Sequence, residues 1–386
     1  MTKPKLFTPF TLRGLTLRNR IVIAPMCQYS ATDGLANEWH FSHLSTFARG
    51  GAGAVLTEAA AVQERGRITH GDLGFWSDAH ADALKPVVAF MKKFGAAPGI
   101  QLGHAGRKAS MQRPWFGNGP LGPDDTARGD LPWEVIGASP VPLADGWLTP
   151  MEMTPGDIAE LIEDFVIAAR RAHATSFEFI ELHAAHGYLI QSFLSPISNK
   201  RTDEWGGDLT GRMKLALDVV RGVRAAWPKE KPLFVRISST DGMEGGWELD
   251  DSVALAKEFK SLGVDVIDCS AFGNSAGGAT ANPSARGAAF QTPFAKRIRA
   301  EAGIATQAVG LILDGPMAEE VLQDGRSDLI AIGREALFDP FWPYHQAHAM
   351  GVNDYEDWPA PYGWWLMRRE NMVRRIREEP GARALP

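Results

Sequence analysis

Ile180-Glu181-Leu182-His183-Ala184-Ala185-His186-Gly187-Tyr188 joins an apolar strand to a cluster of reactive side chains. The strand starts upstream, in Phe177-Glu178-Phe179. Two imidazoles and a phenol then gather at its end. Gly187 lacks a Cβ and tolerates φ > 0, so it permits a tight turn there. Imidazoles can donate hydrogen bonds to a substrate oxygen. A neutral phenol, with an ordinary pKa of about 10, keeps its proton at pH 7. Two donors beside a proton source suit the polarisation and protonation of a carbonyl compound. A plain strand followed by a polar loop is one alternative, and a His-x-x-His metal pair is another. No obvious Cys or carboxylate stands at ligand spacing, so no metal is expected.

Working outward, the same kind of apolar run recurs. Residues 20–26, 54–60, 99–104, 177–184, 233–239, 264–270, 304–310 and 328–334 read as eight strands. They are continuous Val/Ile/Leu runs, as expected of strands buried on both faces. Helical stretches are expected at 77–94, 154–174, 210–227, 250–262, 290–302 and 314–324. The second begins with Thr154 as N-cap, Pro155 at the first helical position and Asp157 in the first turn. Repeated β-then-α units predict an α/β fold, a closed parallel (β/α)8 TIM barrel. An open doubly wound sheet is the rival, but no Gly-x-Gly-x-x-Gly turn follows an early strand. Residues 6–10 and 15–17 flank Arg13-Gly14 and predict an N-terminal hairpin. A single domain spanning residues 1–386 is expected, with a lid excursion at 107–150 after the third strand and a tail at 340–386.

The chain of 386 residues carries a net charge of −6 and 45% hydrophobic residues. That mild acidity gives no sign of nucleic-acid binding or attraction to anionic membranes. No apolar run approaches the ~18 residues of a membrane span. The first residues lack a signal-peptide pattern. Two cysteines, Cys27 and Cys269, cannot alone ligate an iron–sulfur cluster or frame a disulfide scaffold. A cytoplasmic enzyme is expected.

In a barrel, the residues that close the strands meet at one mouth. Strands seven and eight end at Gly310 and at Gly333-Arg334. Loops after these two strands often build a phosphate site, where glycine lets the phosphate approach and arginine grips it. Arg236 closes a buried strand and needs an anionic or carbonyl-rich partner. Singly, tight packing explains each glycine and a salt bridge explains Arg236. Together they suit a phosphorylated planar cofactor, with Gln101 bonding the ring's amide edge. Flavin mononucleotide, FMN, fits that shape.

These residues carry a family resemblance. The chain resembles the Old Yellow Enzyme family, in its bacterial thermophilic-like class that includes the xenobiotic reductases. The resemblance rests on Asn19-Arg20-Ile21-Val22, Ala24-Pro25-Met26-Cys27-Gln28-Tyr29 and Gln101-Leu102-Gly103-His104-Ala105-Gly106-Arg107-Lys108. It continues through His183-Ala184-Ala185-His186-Gly187-Tyr188-Leu189, Ser195-Pro196, Asn199-Lys200-Arg201-Thr202-Asp203, Trp205-Gly206-Gly207 and Gly333-Arg334. It implies that Pro25, Met26, Cys27, Ala59, Gln101, Arg236, Gly310, Gly333 and Arg334 surround FMN. It implies that His183 and His186 hold the substrate oxygen and that Tyr188 is the proton donor. Tyr29, Lys108 and Trp364 would line the substrate site, Trp364 from the partner in a homo-oligomer, a dimer or tetramer. Cys27 would tune the flavin potential. Thr175-Ser176 depart from the family, which usually has a glycine before the fourth strand.

The expectation is an ene-reductase: NAD(P)H, as NADPH or NADH, reduces FMN, which then reduces activated C=C bonds of enones. A barrel aldolase or isomerase acting on a phosphorylated substrate is the alternative, but it needs a Schiff-base lysine at a strand end. A non-catalytic flavin-binding protein is another. A dienoyl reductase with an iron–sulfur domain is disfavoured by the two cysteines and the short C-terminus.

Overall fold

The computed structural model describes residues 3–276, 287–352 and 355–378. Strands β1 (Phe10–Leu12) and β2 (Leu15–Leu17) form the antiparallel hairpin. The barrel strands are β3 (Ile21–Ile23), β4 (Ala54–Ala61), β5 (Ala97–Gly103), β8 (Phe179–Ala184), β9 (Leu233–Ser238), β10 (Val266–Ser270), β11 (Ala305–Ala308) and β12 (Leu329–Ile332). They pair in parallel and close in the order β10-β11-β12-β3-β4-β5-β8-β9. All eight expected strands are present. Some are shorter than expected, for visible reasons. β3 stops because Pro25 has no N–H to continue the ladder. β11 stops before Gly310, whose φ of +114° leaves the extended region.

Side chains on a strand alternate, so inward positions stack in layers along the barrel axis. The lowest layer is apolar: Val22, Ala54, Ala97, Phe179, Phe234, Val266 and Leu329, closed from below by Phe10, Leu12, Leu15 and Leu17 of the hairpin. Gly99 has no side chain because a Cβ there would lie 2.3 Å from the Phe179 ring. The middle layer is polar: Gln101, Glu181, Arg236, Asp268 and Gln307. The registers Gln101↔Glu181, Asp268↔Arg236 and Asp268↔Gln307 join neighbours in it, and β8 steps against β9, where Arg236 pairs with His183. Two residues further up, His183, Ser238 and Ser270 reach the mouth.

Helices α1 (Glu38–Arg49), α2 (Asp78–Lys93), α4 (Pro155–Ala174), α6 (Leu209–Ala226), α7 (Leu249–Ser261), α8 (Thr292–Ala302) and α9 (Gly315–Gln323) surround the barrel. At α4, Thr154 Oγ1 accepts from Asp157 N at 3.2 Å while Asp157 Oδ2 accepts from Thr154 N at 2.8 Å, a reciprocal cap. Helix α1 has no counterpart in the sequence reading. Its buried face mixes His40 and Ser45 with Leu44, Phe47 and Ala48, which blurs the apolar period. The short α5 (Leu189–Leu194) follows Tyr188 directly. Ser176 takes φ +71°, the conformation for which a glycine would be the usual residue.

The excursion carries more regular structure than expected. It holds α3 (Pro123–Ala127) and β6 (Ile136–Gly137), which pairs in parallel with β7 (Met151–Glu152) just beyond its end. After β12, α10 (Arg334–Phe338) leads into the tail, which forms α11 (Trp342–Ala349) and α12 (Ala360–Glu378). Tyr344, Tyr355 and Trp358 pack together between them. Part of the tail, 353–354 and 379–386, lies outside the described residues. Among the described residues no helix is long and apolar enough to cross a membrane.

Candidate active site

Strand β8 delivers His183 to the mouth, and a strained turn delivers the rest. His186 adopts φ +60° and Gly187 φ +76°. A Cβ on Gly187 would lie 2.5 Å from the Gly273 carbonyl oxygen, so only glycine fits. Its N–H donates to Gln191 Oε1 at 2.7 Å. Gln191 Nε2 in turn donates to the buried Asp241 at 2.7 Å, which ties the turn to the β9 end. The result is three converging rings. His183 and His186 stand edge to face with centroids 5.0 Å apart, and His183 and Tyr188 likewise at 4.9 Å. His183 Nε2 and His186 Nδ1 are 3.3 Å apart.

Burial holds both imidazoles well below their ordinary pKa, and the positive charges of Arg236 and Lys108 add to that. Both are therefore neutral near pH 7. Burial raises the Tyr188 phenol well above its ordinary value, with Cys27 and Asp72 adding to the rise and Arg236 opposing it. The phenol keeps its proton. Lys108 Nζ donates to the His186 carbonyl at 2.8 Å and to the Gly273 carbonyl at 2.9 Å. Burial and neighbouring Arg107 push its ammonium down to about 7.

Around this cluster lie most of the other expected residues. Ala59, His183 and Tyr188 line one small cavity with Asp72 and His104. A register shift between Leu56 and Ala59 turns Ala59 to pair with Gln101. The Pro25-Met26-Cys27 segment is anchored by Gln28 N, which donates to Glu58 Oε2 at 2.9 Å. Met26 approaches Gly333, whose added Cβ would lie 3.6 Å from its sulfur. Gly310, Gly333 and Arg334 line a separate cavity of about 80 Å³ between the β11 and β12 ends. Cys27, Tyr29 and Tyr188 pack on Ile68, Ala105, Ala109, Met111 and Val135, together with Trp133 and Trp147. The excursion thus contributes to the wall beside the three rings. Trp364 is not brought to this cluster within the chain. It sits 46% exposed on α12, against Trp365 and beneath Arg368.

Several residues of the site have no place in the sequence reading: Ser238, Ser270, Glu181, Asp268, Gln307 and Asp72. Period-two spacing, back from His183 to Glu181 and on from Arg236 to Ser238, is the signal that finds two of the inward ones. Gln101 Nε2 donates to Glu181 Oε1 at 2.8 Å, and Gln307 Nε2 to Asp268 Oδ2 at 2.9 Å. Burial raises both carboxyls, and the Asp268 charge adds to the rise at Glu181.

The residues present fit FMN. Arg236 is 8% exposed, and its guanidinium makes no hydrogen bond to any described residue; its Nε stands 3.5 Å from Asp268 Oδ2. A buried cation in that state suits an electron-rich ring edge above it. Gln101 gives one amide N–H to Glu181, and its carbonyl oxygen is left to accept from a ring N–H. Arg334 is exposed and forms no ion pair with another described residue, beside a cavity whose glycines admit a phosphate.

Comparison with known proteins agrees. The model of the NADH:flavin oxidoreductase / NADH oxidase family matches residues 5–353. An NADPH dehydrogenase of Geobacillus sp. (strain WCH70) is 43% identical over 362 residues, 93% of this chain and 98% of that protein. Among solved structures, an Old Yellow Enzyme homologue from Zymomonas mobilis is similar with TM-score 0.72 and 24% identity, covering 91% of this chain and 94% of that one. A 2-naphthoyl-CoA reductase is similar with TM-score 0.79 and 25% identity over 91% of this chain, which spans 53% of that larger protein. The chain therefore belongs to the NADH:flavin oxidoreductase / NADH oxidase family, that of Old Yellow Enzyme, and is an FMN-dependent NAD(P)H oxidoreductase.

Proposed function

We propose that this oxidoreductase reduces activated C=C bonds of α,β-unsaturated carbonyl compounds. The observation that carries the reading is the convergence of His183 Nε2 and His186 Nδ1, 3.3 Å apart, with the Tyr188 ring against His183. Bound FMN supplies the hydride chemistry, which is the cofactor's own. The chain supplies position, charge and a proton. Two neutral imidazoles aimed at one point can both donate to a carbonyl oxygen, and they draw electron density from the conjugated double bond. Tyr188 then gives its phenolic proton to the α-carbon as a general acid. Its raised pKa keeps that proton in place until a basic carbon forms.

In the same reading, Gln101, Arg236, Pro25, Met26, Cys27 and Ala59 would hold the flavin ring, and Gly310, Gly333 and Arg334 its phosphate. The Arg236 charge would stabilise an electron-rich ring. Tyr29 and Lys108 would border the substrate. Trp364 would join the site only from a second copy, so a homo-oligomer belongs to the reading.

The aldolase alternative needs a lysine free to attack a carbonyl. Lys108 is buried near the mouth and its pKa is lowered to about 7, as such a lysine requires. Two backbone carbonyls hold its Nζ, however, and assign it to tethering the turn.

The test is the visible spectrum of the FMN-loaded protein under argon. NADPH should bleach the flavin absorbance, and 2-cyclohexenone should restore it. Reoxidation by dioxygen but by no enone overturns the proposal.

A further inference from the structure

We infer that Ser270 is a positioning residue that lets His186 move its ring proton from Nε2 to Nδ1, making Nδ1 a donor to a bound oxygen. The inference rests on the proposed role of His183 and His186 in holding the substrate oxygen.

Every polar atom of His186 has a partner. Its N–H donates to Ser238 Oγ at 2.9 Å, and Ser238 passes its own hydroxyl proton to the Phe272 carbonyl at 2.7 Å. Its carbonyl accepts from Lys108 at 2.8 Å. Its Nε2 lies 2.7 Å from Ser270 Oγ. Its Nδ1 faces His183 Nε2 at 3.3 Å.

The tautomer of His183 is set by the backbone. Ala185 N–H reaches His183 Nδ1 at 3.2 Å, and a backbone N–H can only donate. Nδ1 is therefore the acceptor, and the ring proton sits on Nε2. That proton points at His186 Nδ1. Without a ligand, the pair is satisfied when His186 Nδ1 accepts it and His186 Nε2–H donates to Ser270 Oγ.

An oxygen ligand over both rings changes the requirement. It wants protons from His183 Nε2 and from His186 Nδ1. A neutral imidazole carries one ring proton, so His186 Nε2 must then become an acceptor. The exchange is with water and leaves the ring's proton count unchanged. A hydroxyl both accepts and donates, so Ser270 serves either tautomer by rotating its O–H. Backbone groups and ammonium ions lack that reversibility. Ser270 lies on the inner wall opposite Ser238 in the β9–β10 register, and the two are 3% and 2% exposed. Alanine at 270 would leave a buried ring nitrogen unsatisfied in both tautomers.

The test uses the FMN-loaded full chain, 4-hydroxybenzaldehyde as the oxygen ligand, and ¹⁵N-histidine NMR. In the unaltered protein the His186 ring proton should sit on Nε2 without the ligand and on Nδ1 with it. A tautomer that does not change overturns the inference. Ser270→Ala should weaken phenol binding about tenfold, the loss expected of one buried hydrogen bond, with FMN content unchanged. Ser270→Thr, which keeps the hydroxyl, should bind nearly as the parent does. Equal weakening by both variants makes position 270 a packing site and overturns the inference. Full affinity in Ser270→Ala overturns it while leaving the proposed function intact. Absence of phenol binding in the unaltered protein overturns both.

Discussion

Arg236 Nε stands 3.5 Å from Asp268 Oδ2 on the inner wall of the barrel, yet none of the described residues accepts a hydrogen bond from that guanidinium. The middle layer therefore supplies a counter-charge but leaves the donors to whatever binds above. Arg236→Gln keeps a polar side chain and removes the charge. Hydrogen bonds to charged groups are worth roughly 1.5–3 kcal/mol, so FMN affinity should fall by about one to two orders of magnitude. Quenching of FMN fluorescence on titration measures this. Unchanged affinity would make Arg236 a structural partner of Asp268 alone.

Gly187 is the tightest point of the catalytic turn, with φ +76° and the Gly273 oxygen 2.5 Å from any added Cβ. Gly187→Ala combines left-handed strain, about 1–3 kcal/mol, with that clash. We expect a lower Tm and a displaced Tyr188. Calorimetry of the variant tests the first and its enone turnover the second. A variant as stable and active as the parent would show that the turn yields easily.

Asp72 gives stability a particular pH dependence. Burial pushes its carboxyl up to about 7 despite N–H donors from Ile68 and Thr69. The unfolded chain ionises it near 3.9. Between those values the folded state binds the extra proton, so this group's contribution is full below about pH 4 and is lost as pH rises to about 7. Asp72→Asn removes that titration. Denaturant unfolding at pH 5 and pH 7.5 should show a smaller fall in stability for the variant than for the parent. An equal fall in both would assign the dependence to other groups.

The sequence discloses the eight strands because each is a short Val/Ile/Leu run with an abrupt polar end. It discloses the reactive turn because His183, His186, Gly187 and Tyr188 are adjacent in the chain. The polar middle layer is hidden for a physical reason. Glu181, Asp268 and Gln307 sit inside runs that otherwise read as doubly buried, and only the closing of the strands into a barrel brings them together. Ser238 and Ser270 are subtler still. A serine on a strand has no signature until a ring nitrogen stands 2.7 Å away. Asp72 reaches the cavity through a loop whose path no local pattern encodes. Helix α1 is hidden by the polar residues on its buried face.

Tyr188 carries the central claim, and stopped-flow measurement of the two half-reactions of Tyr188→Phe tests it most directly. Phenylalanine keeps the ring against His183, 4.9 Å away in the parent, and removes the hydroxyl that carries the proton. General acids contribute about 10² to 10⁴-fold in rate. Reoxidation by 2-cyclohexenone should slow by a factor in that range, while reduction by NADPH, which needs no such proton, should change little. Equal slowing of both half-reactions would contradict a proton-donor role and leave Tyr188 as a residue that only positions ligands.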